Sequence, residues 1–265
     1  MYPNFQLAFN YLRYYLTSSN GKGHGVHSPF VFDFIAQVLN SKKHYYAYET
    51  VEALREKLKL DKEVLLINDL GAGSVVSAGD QRSIASIANI AAKPKKYGQL
   101  LFRIANYYQP DTILELGTSL GITTSYLALG NQHANIITLE GSVSIAEIAL
   151  ENFKTLQLKN TRLVQGNFDD TLKKVLTALS SVSMVFVDGN HRKEPTLRYF
   201  DQLLPFLNKE SVIVFDDIHW SSEMTAAWKI ISNHPKTMLT IDLFFIGLVF
   251  FNPAFKVKQN FSIRF

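Results

Sequence analysis

The sequence predicts an α/β fold of the Rossmann-like, doubly wound type, whose mostly parallel seven-stranded sheet ends in an antiparallel hairpin. From about residue 97 onward, short apolar runs alternate with segments of helical spacing, which is the pattern of strand–helix–strand units. The expected parallel strands are residues 112–116, 135–139, 161–165, 182–187 and 211–215. Residues 239–251 form one further apolar run, which predicts the closing hairpin with its bend at Gly247.

Residues 1–95 do not follow this alternation and predict an α-helical N-terminal extension. The predicted division is therefore an extension at 1–95 and a core at 96–265. The extension is rich in aromatic residues, among them Phe5, Phe9 and Tyr11. Aromatic side chains favour buried contacts, so we expect this segment to pack on the core or to form a homodimer through its helices.

The turn that follows the first predicted strand of the core carries the clearest pattern of a ligand-binding site. Gly117 and Gly121 follow an apolar strand and precede a helix, so the backbone can approach a ligand at a helix N-terminus. The dinucleotide pattern G-x-G-x-x-G needs another glycine where Thr118 and Ser119 stand, which disfavours NAD. The next strand ends in Glu140, at the position where an acid would bind ribose hydroxyls.

These residues resemble the class I S-adenosylmethionine-dependent methyltransferases, whose first motif is E/D-x-G-x-x-x-G. The resemblance runs from Lys95 to about Asn252 and is closest to the O-methyltransferases of the catechol and caffeoyl-CoA type. It implies S-adenosylmethionine as cofactor. The implied cofactor-binding residues are Glu115, Gly117, Thr118, Ser119, Gly121, Glu140, Asn167, Phe168 and Asp188.

The resemblance also implies a metal site. In metal-dependent members an Asp follows the fourth strand and an Asp-Asn pair follows the fifth; here these positions are Asp188, Asp216 and Asp217. Oxygen ligands favour Mg²⁺, with Mn²⁺ or Ca²⁺ as further options. The alternative is that these residues cap the helices that follow them.

Two histidines are candidates for removing a proton from the acceptor. His191 stands three residues after Asp188, where the family has a catalytic Lys, and His219 follows the fifth strand. Imidazole accepts protons near neutral pH. The catalytic candidates are therefore His191, Asp188 and His219, with an ordinary surface position as the alternative for each histidine.

The amino-acid composition further narrows the kinds of protein and partner that fit this sequence. The 265 residues contain no cysteine, which excludes disulfides and thiolate chemistry, and the net charge of +4 comes without a dense basic tract. We therefore expect a small-molecule partner and no nucleic acid. The N-terminus shows no secretory pattern and no apolar run is long enough to span a bilayer, so we expect a cytoplasmic protein without membrane contact.

A second glycine-rich segment, residues 68–74, also follows a strand-like run. No acid-terminated strand follows it at the spacing of a cofactor site. An ordinary turn is the preferred interpretation, with a loop beside the substrate as the alternative.

The predicted function is methyl transfer from S-adenosylmethionine to an acceptor, with a hydroxyl group of a small molecule preferred. The alternatives are methylation of RNA or protein, and a non-catalytic module that keeps the cofactor fold for binding or assembly. A nicotinamide oxidoreductase is the most distant alternative.

Overall fold

The computed structural model describes residues 1–67, 81–90 and 93–265. The glycine-rich segment at 68–74 lies outside these residues. The α-helices are α1 (Asn4–Thr17), α2 (Pro29–Phe34), α3 (Tyr46–Leu60), α4 (Ile84–Ile90), α5 (Lys95–Tyr108), α6 (Ile122–Gly130), α7 (Val143–Thr155), α8 (Phe168–Thr177), α9 (Lys193–Leu203) and α10 (Ser222–Asn233). The strands are β1 (Val64–Leu66), β2 (Gln81–Ser83), β3 (Thr112–Leu116), β4 (Asn135–Glu140), β5 (Thr161–Gln165), β6 (Val182–Val187), β7 (Leu207–Asp216), β8 (Leu239–Asp242), β9 (Ile246–Phe250) and β10 (Gln259–Ser262).

The chain divides into two compact units. The first unit comprises Met1–Ser41 and Ser180–Phe265, and the second comprises Lys42–Leu179. Helices α1 and α2 thus belong to the first unit, whereas α3 and α4 belong to the second. The predicted division at residue 95 stays a prediction.

In the second unit, β3, β4 and β5 pair in parallel in chain order. Ile113, Leu114, Leu116, Ile136 and Leu139 are fully buried, as expected for strands covered on both faces. Helices α6 and α7 make the crossovers between these strands. The carboxyl ends of β3 and β4 therefore lie side by side, at residues 116 and 139 in the pairing register.

In the first unit, β6 and β7 pair in parallel, and β9 pairs antiparallel with both β7 and β8. All seven predicted strands are present, and the α/β fold with its closing antiparallel hairpin is confirmed. A further strand, β10, pairs in parallel with β8 at the edge. Its half-buried residues Gln259 and Phe261 alternate with exposed Asn260 and Ser262, so it lacks the apolar run on which the strand predictions depended.

The bend of the closing hairpin lies at residues 243–245, and the prediction of a bend at Gly247 was wrong. Gly247 is inside β9, where a Cβ would meet the Trp228 ring at 2.6 Å. The bend instead has Phe244 in the left-handed region, with φ of 71°. The Asp242 carboxylate accepts the Phe244 N–H at 2.8 Å, which is how Asp stabilises a turn without glycine.

Outside the sheet, β1 and β2 form a short antiparallel pair in the second unit. The other described elements of residues 1–95 are helical, apart from short loops. Within the described residues, none of the helices has the length and apolar character needed to cross a membrane.

Candidate functional site

The glycine turn of residues 117–121 joins β3 to α6 in the second unit. Gly117 and Gly121 have φ of 105° and 79°, and Ser119 between them has φ of 49°. Residues other than glycine rarely adopt such positive φ values. The N–H groups of Gly117 and Thr118 both donate to the Leu139 carbonyl, at 3.0 and 3.1 Å, so the turn is tied to the end of β4.

Glu140 holds this turn and the following loop together. One carboxylate oxygen accepts the Ser119 N–H at 2.9 Å, and the other accepts the Ser142 N–H at 3.0 Å. An ionised carboxylate has about four acceptor positions and can bind several donors at once. The residues present therefore fit a nucleoside whose ribose hydroxyls donate to Glu140 beside the glycine turn.

Glu115 lies behind the turn instead of lining it. Its side chain is completely buried, and one carboxylate oxygen accepts hydrogen bonds from Thr124 at 2.5 Å and Thr138 at 2.6 Å. The Thr118 hydroxyl lies 2.6 Å from that of Thr138 and extends this network. Burial raises the pKa of Glu115 to about 7, although the two threonine hydrogen bonds oppose the shift. Glu115 thus links β3, β4 and α6 from inside the unit.

Asn167 and Phe168 follow β5, at the start of α8. The Asn167 side-chain oxygen accepts the Asp169 N–H at 3.0 Å and caps the helix. Both residues are half-buried. Capping uses the oxygen of the Asn167 side chain, and the amide of that residue keeps its two donor hydrogens.

The first unit brings together Asp188, His191 and Asp216. One ligand atom from each lies within 4.8 Å of the others, and His191 Nε2 is 3.5 Å from Asp188 Oδ1. The chain turns between Asp188 and His191 because Asn190 takes a left-handed conformation, with φ of 59°. Asp216 at the end of β7 is buried, whereas Asp188 and His191 are partly exposed.

The aspartates do not cap the helices that follow them. The N-cap of α9 is Arg192, and the N-cap of α10 is Ser221, whose hydroxyl accepts the Met224 N–H at 3.1 Å. Two carboxylates and one imidazole suit a divalent cation: the oxygens favour Mg²⁺ or Mn²⁺, and the imidazole adds affinity for Zn²⁺. The residues present therefore fit a metal, with His191 in the group that was predicted to contain Asp217.

Asp217 and His219 have other surroundings. Asp217 has φ of 52°, and its carbonyl accepts the Trp220 N–H at 2.9 Å; among the described residues it is not a member of the Asp188–His191–Asp216 cluster. His219 Nε2 lies 2.7 Å from Asp242 Oδ2. Asp242 could not be predicted from the sequence, because its partner is 23 residues away and no motif joins the two.

Comparison with known proteins finds methyltransferases. Residues 114–218 match a methyltransferase domain family. A tRNA (guanine-N(7)-)-methyltransferase of Mycoplasma mobile is 30% identical over 109 residues, which cover 39% of this chain and 54% of that protein. A catechol O-methyltransferase of Mycobacterium tuberculosis is 28% identical over 156 residues, covering 58% of this chain and 67% of that protein. The chain thus spans about half to two thirds of the curated relatives that it matches.

Solved structures share the fold. An SAH-bound methyltransferase of Podospora anserina superposes with a TM-score of 0.59 at 16% identity, covering 85% of this chain and 97% of that one. An O-methyltransferase of Bacillus cereus in complex with SAH gives a TM-score of 0.54 at 20% identity, covering 83% and 97%. Residues 114–218 are thus similar in sequence to a methyltransferase domain, and these solved structures share the Rossmann-like fold of the chain.

Proposed function

We propose that this chain transfers a methyl group from S-adenosylmethionine to a hydroxyl group of a small molecule. The observation that carries the proposal is the glycine turn at residues 117–121, which is tied to Glu140 through the Ser119 N–H at 2.9 Å. The catechol O-methyltransferase and the SAH-bound neighbour structures support the choice of cofactor and acceptor. Bound S-adenosylmethionine would supply the methyl group on an already activated sulfonium.

The protein's own residues have two tasks in such a reaction. The turn and Glu140 would hold the nucleoside, with the carboxylate accepting from ribose hydroxyls. Phe168 and Asn167 would contact the base, and Asp188 would orient the cofactor or the acceptor. Because the methyl group needs no further activation, positioning and removal of the acceptor proton are what remains for the side chains.

The Asp188–His191–Asp216 cluster can remove that proton in one of two ways. If it holds a divalent cation, the cation would lower the pKa of the acceptor hydroxyl, and His191 would be a ligand. If it holds none, His191 would be the base, oriented by Asp188 at 3.5 Å. An imidazole nitrogen cannot be a ligand and a base at once, so the two alternatives exclude each other. His219, held by Asp242, is the second candidate base.

The cofactor half of the proposal is tested by calorimetric titration with S-adenosylhomocysteine. Glu140→Ala removes the acceptor for the ribose and the brace for Ser119, so we expect the Kd to rise about 10- to 100-fold, the effect of losing charge-assisted hydrogen bonds. The matched control is Glu151→Ala, an exposed glutamate of α7 in the same unit, which should bind as the wild type does. Equal affinity in wild type and Glu140→Ala would contradict the placement of the cofactor.

The choice between metal and base is tested by methyl transfer to a catechol in Mg²⁺, in Mn²⁺ and in EDTA. A metal site predicts loss of transfer in EDTA, recovery with the ion, and loss of ion binding in Asp216→Asn, with exposed Asp201→Asn as the control. A histidine base predicts transfer that EDTA does not change and that His191→Gln lowers about 10²- to 10⁴-fold. A wild type that binds S-adenosylhomocysteine and methylates no acceptor would favour the non-catalytic alternative.

One observation favours a second candidate, methylation of RNA. The relative with 30% identity is a tRNA methyltransferase, and the chain is mildly basic, with a net charge of +4. Transcribed tRNA in the same transfer assay separates the candidates. An RNA enzyme would methylate tRNA in preference to catechol, and its activity would fall steeply with salt because phosphate contacts release counterions.

A further inference from the structure

The outer face of α1 carries a continuous apolar stripe. Phe5, Phe9, Leu12 and Leu16 are 78%, 66%, 54% and 68% exposed. At 3.6 residues per turn these four positions fall within about 60° of one another around the helix axis. Most exposed hydrophobic residues are scattered singly over a protein surface, whereas four in one line are characteristic of an interaction site.

The opposite face of α1 already packs against its own unit. Tyr14 is buried, and its hydroxyl donates to the Ile263 carbonyl. The rings of Tyr11 and Tyr14 lie 5.0 and 5.3 Å from that of Phe244. Helix α1 is therefore apolar on two opposite sides, the pattern of a helix covered from both directions. The chain's own residues cover one of these sides.

We propose that the stripe Phe5–Phe9–Leu12–Leu16 is the interface through which two copies of this chain form a homodimer, α1 against α1. Successive stripe residues are four, three and four apart, which is the heptad spacing of helices that pair along a seam. The same stripe on both copies makes a self-complementary, two-fold contact that closes on itself.

The area and the charge of the stripe both suit a second copy. An aromatic side chain has an area of about 200 Å², and a leucine somewhat less. The four exposed side chains of the stripe therefore offer roughly 500 Å² per chain. A pair of chains that covered the stripe would bury about 1,000 Å², the lower limit for a specific interface. The only charged residue of α1 is Arg13. Helices that lie on membranes instead have a polar face rich in Lys and Arg, and here that face is occupied by Tyr11 and Tyr14.

Sedimentation equilibrium of the full chain over a wide concentration range tests the proposal. We expect a wild-type dimer, and at least about a tenfold weaker association in Phe9→Glu, which places a charge at the centre of the seam. The matched control is Gln6→Glu, which adds the same charge to the same helix about 100° away from Phe5 and should leave the dimer intact. A circular-dichroism melt checks that both variants fold.

Cross-linking gives a second measurement that does not depend on a disruptive variant. Because the chain has no cysteine, Phe9→Cys/Leu12→Cys introduces the only thiols and should form a covalent dimer on mild oxidation, whether the helices run parallel or antiparallel. Gln6→Cys/Thr17→Cys should not. A wild-type monomer at all concentrations, a dimer that Phe9→Glu does not weaken, or a monomer that binds phosphatidylglycerol vesicles through the stripe would overturn the proposal.

Discussion

At the scale of single residues, Glu115 shows how a motif position differs from a binding position. The motif predicts a cofactor contact, but the carboxylate is completely buried and its described hydrogen bonds come from Thr124 and Thr138. A buried acid of this kind stabilises the conformation of the turn through hydrogen bonds inside the unit. Its effect on the cofactor is therefore indirect, through the positions of Thr118 and the backbone that follows it.

Burial of Glu115 predicts a specific pH dependence of stability. The pKa of about 7 in the folded state lies above the ordinary glutamate value of 4.5, so the folded state holds the proton more tightly. The resulting stabilisation of the folded state is complete below pH 4.5 and is lost as the pH rises through about 7. At higher pH this group no longer changes the stability. Between pH 5 and pH 8 this group should remove about 2–3 kcal/mol of the free energy of unfolding.

The test is urea unfolding of wild type and Glu115→Gln at several values between pH 5 and pH 8. Glutamine does not titrate and keeps an oxygen for the threonine hydroxyls, so the variant should lack this part of the pH slope. Other titrating groups contribute equally to both proteins. Identical slopes would mean that Glu115 is ionised throughout and that its burial is compensated in another way.

The members of the Asp188–His191–Asp216 cluster could be predicted from the sequence only in part. Asp188, His191 and Asp216 could be proposed from their positions after two strands, because parallel strands place their carboxyl ends at one edge. The participation of His191 in place of Asp217 depends on the left-handed turn at Asn190, which no spacing rule predicts. Asp242, the partner of His219, is the last residue of β8, a strand that carries no motif.

At the scale of elements, strands with apolar runs were predictable and elements held by side-chain contacts were not. The strand β3 begins and ends at the predicted residues, because burial on both faces requires a continuous apolar run. Three of the four residues of β10 are polar, and the hairpin bend has Phe244 where a glycine would be expected. In both places the local sequence lacks the usual signal.

The glycine turn is itself an element whose sequence requirement can be measured. Gly121 has φ of 79°, and a Cβ there would lie 2.6 Å from Phe153 Cε1. Gly121→Ala should therefore lower the free energy of unfolding by about 1 kcal/mol for the backbone conformation and by about 1–3 kcal/mol more for the steric conflict. The measurement is denaturant unfolding of the variant against wild type.

A double-mutant cycle separates these two contributions. In a Phe153→Leu background the ring atom that conflicts with the new Cβ is absent, so Gly121→Ala should cost only the backbone part. The coupling energy between the two sites should then equal the steric part, about 1–3 kcal/mol. If Gly121→Ala lowers the free energy of unfolding equally in both backgrounds, the close contact with Phe153 does not explain why position 121 is a glycine.

At the scale of the whole molecule, binding and stability are linked. The residues proposed to hold the nucleoside, from Gly117 to Phe168, all belong to the unit Lys42–Leu179. A ligand that binds only the folded form stabilises it by an amount that grows with the logarithm of its concentration. The thermal transition that includes this unit must therefore respond to the correct cofactor and not to a dinucleotide.

We expect S-adenosylhomocysteine at a hundred times its Kd to raise the Tm by about 5–10 °C in differential scanning calorimetry. This follows from a stabilisation of about 2.7 kcal/mol and from about 2–4 °C per kcal/mol for chains of this size. Glu140→Ala should show a much smaller increase at the same concentration, and Glu151→Ala the full one. NAD should have no effect, because Thr118 and Ser119 occupy the place of the second glycine of the dinucleotide pattern. An increase with NAD and none with S-adenosylhomocysteine would reverse the assignment of the cofactor and favour the nicotinamide alternative.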